Sequence, residues 1–423
     1  MLRALFSRNY RLFFCGQGIS LIGTWMQNIA VSWLVYRLTQ SAFLLGLVGF
    51  SMQIPTFIFT PFAGVFVDRH NRHRLIIITQ ILAMVQAFIL AILVLTNKIQ
   101  IWQIISLSVF LGLVNSFDIP TRHAFIFDIV EKKEDISNAI ALNSSIFNSA
   151  RLIGPLIAGV LIPLIGEGMC FLVNGFSFIA VIIALIMMKI KERKIEVKKT
   201  HIFEELKEGF SYAFNFVPIR LILALLALIS LMGISYAVLM PIFATKILHG
   251  TSRTYGFLMS AAGTGALFGA FYLASRRNII GLGKIVAIST LVFGAGLIIF
   301  SQSEILWLSL LILAFIGFGL MVQSAASNII LQTIVEDDKR GRIMSLFACA
   351  FMGMIPFGSL LAGVLASRIG APNTLIIGGI TCFLGGLFFL TKISFLEKII
   401  HPVYTKKGII PEVVRGIQEV EMK

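Results

Sequence analysis

Along its 423 residues the chain alternates long apolar runs with short polar breaks. Twelve runs stand out, near 11–36, 43–67, 75–96, 101–121, 139–165, 168–188, 218–245, 255–275, 284–301, 305–334, 343–368 and 374–396. Each approaches or exceeds the roughly 20 apolar residues that a helix needs to cross about 30 Å of hydrocarbon. The pattern predicts an all-α integral membrane protein with twelve transmembrane helices, and an even count puts both termini on one side. Three breaks on the opposite side, 97–100, 166–168 and 301–304, are tight turns with no room for a soluble domain.

Composition agrees and adds an orientation. Hydrophobic residues make up 57% and charged residues only 13%, against about 25% charged in a soluble domain, and mean hydropathy is +0.93. A soluble enzyme is excluded. The net charge of +15 could suggest nucleic acid. However, nearly all Lys and Arg fall in the breaks on the side of the termini: only Arg37, Lys98, Lys246, Arg253 and Arg368 lie opposite, and Arg151 lies within a span. That is the positive-inside bias, so the termini are expected in the cytoplasm of a bacterial inner membrane, with the bilayer as partner and no nucleic acid. The first run, about 25 residues, exceeds the 7 to 15 of a signal-peptide core and is expected to stay as an anchor. Cys15, Cys170, Cys349 and Cys382 show no paired spacing, and no His/Glu metal motif or phosphate-cradling loop occurs. Disulfides, a metal, a cofactor and ATP hydrolysis are therefore not expected.

The break after the second run carries the most specific signal: Gly64-Val-Phe-Val-Asp68-Arg69-His70-Asn71-Arg72-His73-Arg74-Leu75. It resembles the loop between helices 2 and 3 of the major facilitator superfamily of secondary transporters, Gly-x-x-x-Asp-Arg-x-Gly-Arg-Arg/Lys. Here Asn71 stands for a Gly and His73 for a base. The positive-inside bias explains the arginines but not Gly64 and Asp68 at that spacing. The resemblance implies two six-helix bundles around a substrate path, with a cytoplasmic gate in which Asp68 faces the start of helix 11 at Gly341-Arg342. In that gate Arg69 belongs to the loop, and Arg72 pairs with an acid at the end of helix 4, Asp118 or Asp128.

Internal repetition supports the two bundles independently. Ile19-Ser-Leu-Ile-Gly23 is echoed by Ile229-Ser-Leu-Met-Gly233, and Gly154-Pro-Leu-Ile-Ala-Gly159 followed by Gly166 recurs as Gly358-Ser-Leu-Leu-Ala-Gly363 followed by Gly370. Two same-orientation copies are related by an axis along the membrane normal and bind substrate near the midplane between them. The expected divisions are 1–188, a linker 189–217, 218–396 and a tail 397–423. In the linker Phe203, Leu206, Phe210 and Phe214 recur at helical spacing, which predicts an amphipathic helix on the inner surface, as a simple connector or as a regulatory element.

Within the superfamily the chain is similar to the branch of the enterobactin exporter and related bacterial efflux proteins. The likeness rests on Asp118-Ile-Pro120-Thr-Arg122, on Asn138-Ala-Ile-Ala-Leu-Asn143 leading to Asn148-Ser-Ala-Arg151-Leu-Ile-Gly154-Pro155-Leu-Ile-Ala-Gly159, and on Arg340-Gly341-Arg342. The last part of that second stretch also resembles the helix 5 motif of drug/proton antiporters. Gly154, Pro155 and Gly159 would then serve as a pivot, or as close packing.

Ionisable groups inside a membrane are functional candidates by default. Asp118 is the only acid within an apolar run, and Arg151, near the middle of the fifth, the only deep base. Arg151 is either satisfied by Asn148, Asn143 and carbonyls, or is the charge that an anionic substrate or a protonating acid answers. Many proton-coupled members carry an Arg in helix 4 where this chain has Ser108, so Arg151 could replace it by approaching Asp118 in one conformation. The resulting reading is a secondary transporter, acting as a monomer, that exports an amphipathic small molecule such as a siderophore or drug against proton entry. Two alternatives stay open: a proton-independent or inward metabolite or lysophospholipid facilitator, and a non-transporting scaffold or sensor of the same fold.

Overall fold

A computed structural model describes residues 3–190, 211–276, 279–336 and 339–407. The N-terminal bundle holds α1 (Arg8–Thr39), α2 (Ala42–Asp68), α3 (Arg72–Leu95) and α4 (Ile101–Ile129). Its last helical stretch, Ile136–Ile186, turns a corner at Gly166 and so is two spans, α5 (136–165) and α6 (167–186). The C-terminal bundle holds α7 (Val217–Ile247, interrupted at 233–235), α8 (Ser252–Ser275), α9 (Leu282–Ser301) and α10 (Leu306–Ile334). It closes with α11 (Arg340–Ile369, interrupted at 352–354) and α12 (Ala371–Lys406). Most of the linker stretch predicted as amphipathic lies outside the described residues.

Among the described residues ten stretches are long and apolar enough to cross a membrane, one of them the α5–α6 pair. Only α1 falls below that hydropathy, because Gln17, Gln27 and other polar side chains lie on it. Gln17 and Gln27 are buried within the protein, so they do not face lipid. Trp102 and Trp307, each the second residue of its helix, are 62% and 80% exposed and mark an interfacial belt at one end of α4 and α10.

Local chemistry sets the corners. The Asn71 side chain accepts from the Arg74 amide and caps α3, and Ser41 does the same for α2 at Leu44. Gly166 (φ 80°, ψ 169°) and Gly370 (φ 84°, ψ 157°) adopt one conformation that is nearly closed to residues with a Cβ, so the sequence echo becomes the same sharp corner in both bundles. Two helices outrun their apolar runs. α4 continues past Pro120 to Ile129, with the Thr121 hydroxyl bonded to the Phe117 carbonyl beside the proline. α12 continues to Lys406, and Lys407 donates to the carbonyls of Thr333 and Val335 at 2.8 Å, capping the end of α10 with a cation.

The bundles meet along α5–α8 and α2–α11, through glycines. A Cβ built on Gly256 would lie 2.6 Å from the Gly159 Cα, and one on Gly46 would lie 2.5 Å from the Ser359 carbonyl and 2.8 Å from the Gly363 Cα. Only backbones without side chains pack this closely. Both contacts sit toward the face opposite the Asp68 loop. There Phe357 adds edge contacts to Phe50 and Phe57 across the seam. Toward the loop face the bundles part: a Cβ on Gly64 or Gly341 would meet nothing within 4 Å, and Ser144, Ser145, Ser345 and Cys349 are exposed.

Candidate functional site

The loop that signalled the family forms a tight ionic group. Asp68 ends α2 and Arg72 begins α3, so the turn brings them together at 3.1 Å. The extension of α4 delivers Asp128 to the same guanidinium at 3.2 Å. The acid facing Arg72 is thus Asp128, while Asp118 lies deeper. Arg69, the C-cap of α2, is exposed. The Asp68 side chain is 72% exposed and a Cβ at Gly341 would meet nothing within 4 Å, as the parting of the bundles requires. His73, which replaces a base of the usual motif, bonds the Leu185 carbonyl at 2.8 Å and stacks on Phe125, tying α3 to α6 and α4.

Asp118 is 2% exposed and accepts three bonds: from Thr79 Oγ1 (2.8 Å), from Gln80 Nε2 (2.7 Å) and from Arg122, one turn along α4. An acid four residues before an Arg is the favourable order on a helix. Arg122 keeps its Nε buried and without a partner. The expected approach of Arg151 to Asp118 is not found in this conformation; Arg122 is the base that answers the acid. Ser108, where other members carry Arg, bonds its own helix at Ile104.

Arg151 sits midway along α5. Its guanidinium lies 5.8 Å from the centroid of the Trp25 ring, near the middle of α1. Such a cation–π contact contributes up to about 2 kcal/mol when desolvated, less than the roughly 2.5–3.5 kcal/mol cost of a charge at mid-membrane on insertion scales. Among the described residues Arg151 has no acid partner. Asn148, a suggested partner, bonds the Ser144 carbonyl instead. The C-terminal bundle also reaches this depth: Ser260 of α8 donates to the Leu152 carbonyl at 3.1 Å, and a Cβ on Gly263 would lie 3.3 Å from the Arg151 carbonyl oxygen.

The helix 5 glycines have separable tasks. Gly154 lets α5 press on α1, where a Cβ would lie 2.5 Å from the Trp25 Cβ, and Gly159 presses across on α8. Their repeats behave alike: Gly358 presses on α7 at the Leu231 carbonyl and Gly363 presses across on α2. Pro155 offers its carbonyl to the same α8 contact.

Two features were not anticipated. A buried amide ladder joins four helices: Asn174 Nδ2 to Gln27 Oε1 (2.8 Å), Gln27 Nε2 to Gln86 Oε1 (2.9 Å), and Gln86 Nε2 to the Leu107 carbonyl (3.4 Å). Its signal was amides spaced through apolar runs. At the corner of α5 and α6, Glu167 is buried and held by Arg37 through both oxygens, at 2.7 and 3.3 Å. Glu167 lies in the 166–168 break, between two apolar runs rather than within one.

Residues 2–399 match a family described as transmembrane secretion effector. The chain belongs to this family of major facilitator transporters. Among its relatives is the staphyloferrin A transporter of Staphylococcus aureus (strain NCTC 8325 / PS 47), 26% identical over 90% of this chain and 96% of that protein. The multidrug efflux pump Tap of Mycolicibacterium fortuitum is 23% identical over 92% and 95%. An enterobactin exporter also matches, in keeping with the branch resemblance. In solved structures the fold is shared with a bacterial homologue of the human lysosomal transporter Spinster in an inward-facing, unoccupied conformation. The TM-score is 0.69 at 13% identity, covering 94% and 97% of the two chains.

Proposed function

We propose that this major facilitator transporter exports an amphipathic small molecule, a siderophore or drug, by alternating access and in exchange for protons. The observation that carries the reading is the asymmetry of the seam. Glycine pairs close one face at both α5–α8 and α2–α11, while on the other a Cβ at Gly64 or Gly341 would meet nothing within 4 Å and the Asp68 side chain is 72% exposed. This is one end state of a two-state machine, open to the face with the basic loop, which the positive-inside rule makes cytoplasmic. In the other end state Asp68 would meet the positive N-terminus of α11, shutting the cytoplasmic side, with α5 pivoting at Gly154-Pro155. The names of the relatives support a siderophore or drug as cargo.

Proton coupling needs a group whose charge changes in the cycle. Asp118 is suited, being buried and tied to Arg122 on its own helix. Protonation would remove the charge that holds Arg122 and free that guanidinium to turn, so proton and conformation bias each other. The test uses inverted membrane vesicles with an imposed proton gradient and labelled staphyloferrin A as probe. The wild type should accumulate it, and Asp118→Asn should lose gradient-driven uptake while counterflow persists. Wild-type vesicles without gradient-dependent uptake, or an Asp118→Asn variant that keeps it in full, would overturn the coupling.

A further inference from the structure

Among the described contacts, those of four arginines of the N-terminal bundle are with an aromatic or acidic partner, and one of the four differs from the rest. Arg72 has Asp128 and Asp68, Arg122 has Asp118, and Arg37 has Glu167. Each charge is neutralised within the protein. Arg151 is deepest, at the centre of α5, and among the described residues it is answered by no carboxylate, only by the face of Trp25. Trp25 is itself fixed, by the edge of the Phe147 ring at 5.8 Å and by the pressure of α5 at Gly154.

We propose that Arg151 on Trp25 is the anion-binding site of the substrate path, and that the exported molecule carries a carboxylate on an aromatic or apolar body. The inference rests on the transport reading and names its substrate class. A guanidinium held over a ring by a cation–π contact uses none of its N–H donors for it, and the edge of the guanidinium matches a carboxylate with two parallel bonds. The ring stiffens the guanidinium without neutralising it, so the missing counter-charge arrives with the ligand. The same ring provides an apolar wall for the body of the molecule. Asn28, one turn along α1 on the side of Trp25, has a buried side-chain oxygen without a hydrogen-bond partner, an unused acceptor for a hydroxyl or amide of the cargo. α8 of the C-terminal bundle reaches the same depth, where Ser260 donates to the Leu152 carbonyl at 3.1 Å, so one bound molecule would lie beside both moving parts.

The test isolates the ring. Replacing Trp33, Trp102 and Trp307 with Phe leaves Trp25 as the only tryptophan of the four. The full chain is placed in phosphatidylcholine nanodiscs and titrated with two quenchers of one shape, 4-nitrobenzoate and neutral 4-nitrobenzamide. The anion should reach half-maximal quenching at a concentration about tenfold lower than the amide, a difference within reach of one bidentate pair. Arg151→Gln should merge the two curves, and Arg151→Lys should keep a smaller preference for the anion. Arg253→Gln, which removes an equal charge from an exposed position of α8, should leave the preference intact. Identical curves with Arg151 present, a preference that survives Arg151→Gln, or its loss when the lipid is changed to phosphatidylglycerol would each overturn the site, the last by assigning it to a lipid headgroup. Failure of the transport reading looks different. An anion preference without gradient-driven uptake would leave the site standing and remove the exporter, whereas uptake without the preference would do the reverse.

Discussion

The two bundles share a plan and differ in chemistry. α4 and α10 are both 29 residues long, and counted from their first residues Asp118 corresponds to Gln323 and Arg122 to Ser327. The same one-turn contact exists in both places, as an ion pair in α4 and as a neutral 3.4 Å bond from Gln323 Nε2 to Ser327 Oγ in α10. Arg151, by the spacing of the repeated glycines, corresponds to Ile355. Among the described residues of the C-terminal bundle no Asp, Glu, Lys, Arg or His is buried, whereas the N-terminal bundle buries Asp118 and Glu167 and carries the amide ladder. The scaffold occurs twice, but among the described residues the buried charges sit on one side.

The largest effect on this comparison should come from spoiling the shared seam. Gly256→Leu would put a side chain where even a Cβ meets the Gly159 backbone, so closure of the face away from the basic loop should fail. Transport should fall by more than about tenfold as the population shifts to the other end state. A cysteine at Ser144 in a cysteine-free background should lose its reaction with an impermeant maleimide applied from the basic face. Gly283→Leu, at a glycine with open space, is the control and should change neither reading. Unaltered labelling and flux in Gly256→Leu would remove the seal.

A smaller effect should separate the gate loop from the α8–α9 loop of the other bundle. Asp68→Asn should lower transport several-fold at equal membrane abundance, because its charge is needed only in the state that closes the basic face. Arg276, at the corresponding loop of the C-terminal bundle, is exposed, and its guanidinium reaches only the Tyr272 hydroxyl and the Ile280 carbonyl among described contacts. Arg276→Gln should leave flux unchanged. Equal losses in both variants would mean that the loops act alike and that the asymmetry is not functional.

The smallest effect concerns stability. Gln27→Leu strands the Asn174 donor and the Gln86 acceptor, at about 1–3 kcal/mol for each buried group left unpaired. The thermal midpoint in detergent should therefore drop. Gln323→Leu removes an amide whose oxygen already lacks a partner, and the midpoint should hold or rise. Equal drops would show that the C-terminal bundle relies on its polar groups as much as its twin.

Much of this architecture was legible in the residues alone, and for clear physical reasons. Hydrocarbon thickness dictates run length, so twelve spans followed from apolarity. Gly166 and Gly370 announced two equivalent corners because few other residues adopt that backbone. The loop from Gly64 to Leu75 announced the family because its glycine and acid are not explained by topology. Helix ends were less legible: α4 and α12 leave the apolar layer before they stop, and hydropathy is blind to a helix beyond it. Which groups meet was decided by the tertiary structure. Asp118 could be singled out as a buried acid, but its choice of Arg122, Thr79 and Gln80 depends on how α3 lies beside α4. Glu167 became a buried ion only because α1 ends beside the corner of α5 and α6. That Arg151 rests on Trp25 with no carboxylate beside it among the described residues is a property of helix packing at Gly154, since a sequence records which charges exist and only the fold determines the distances between them.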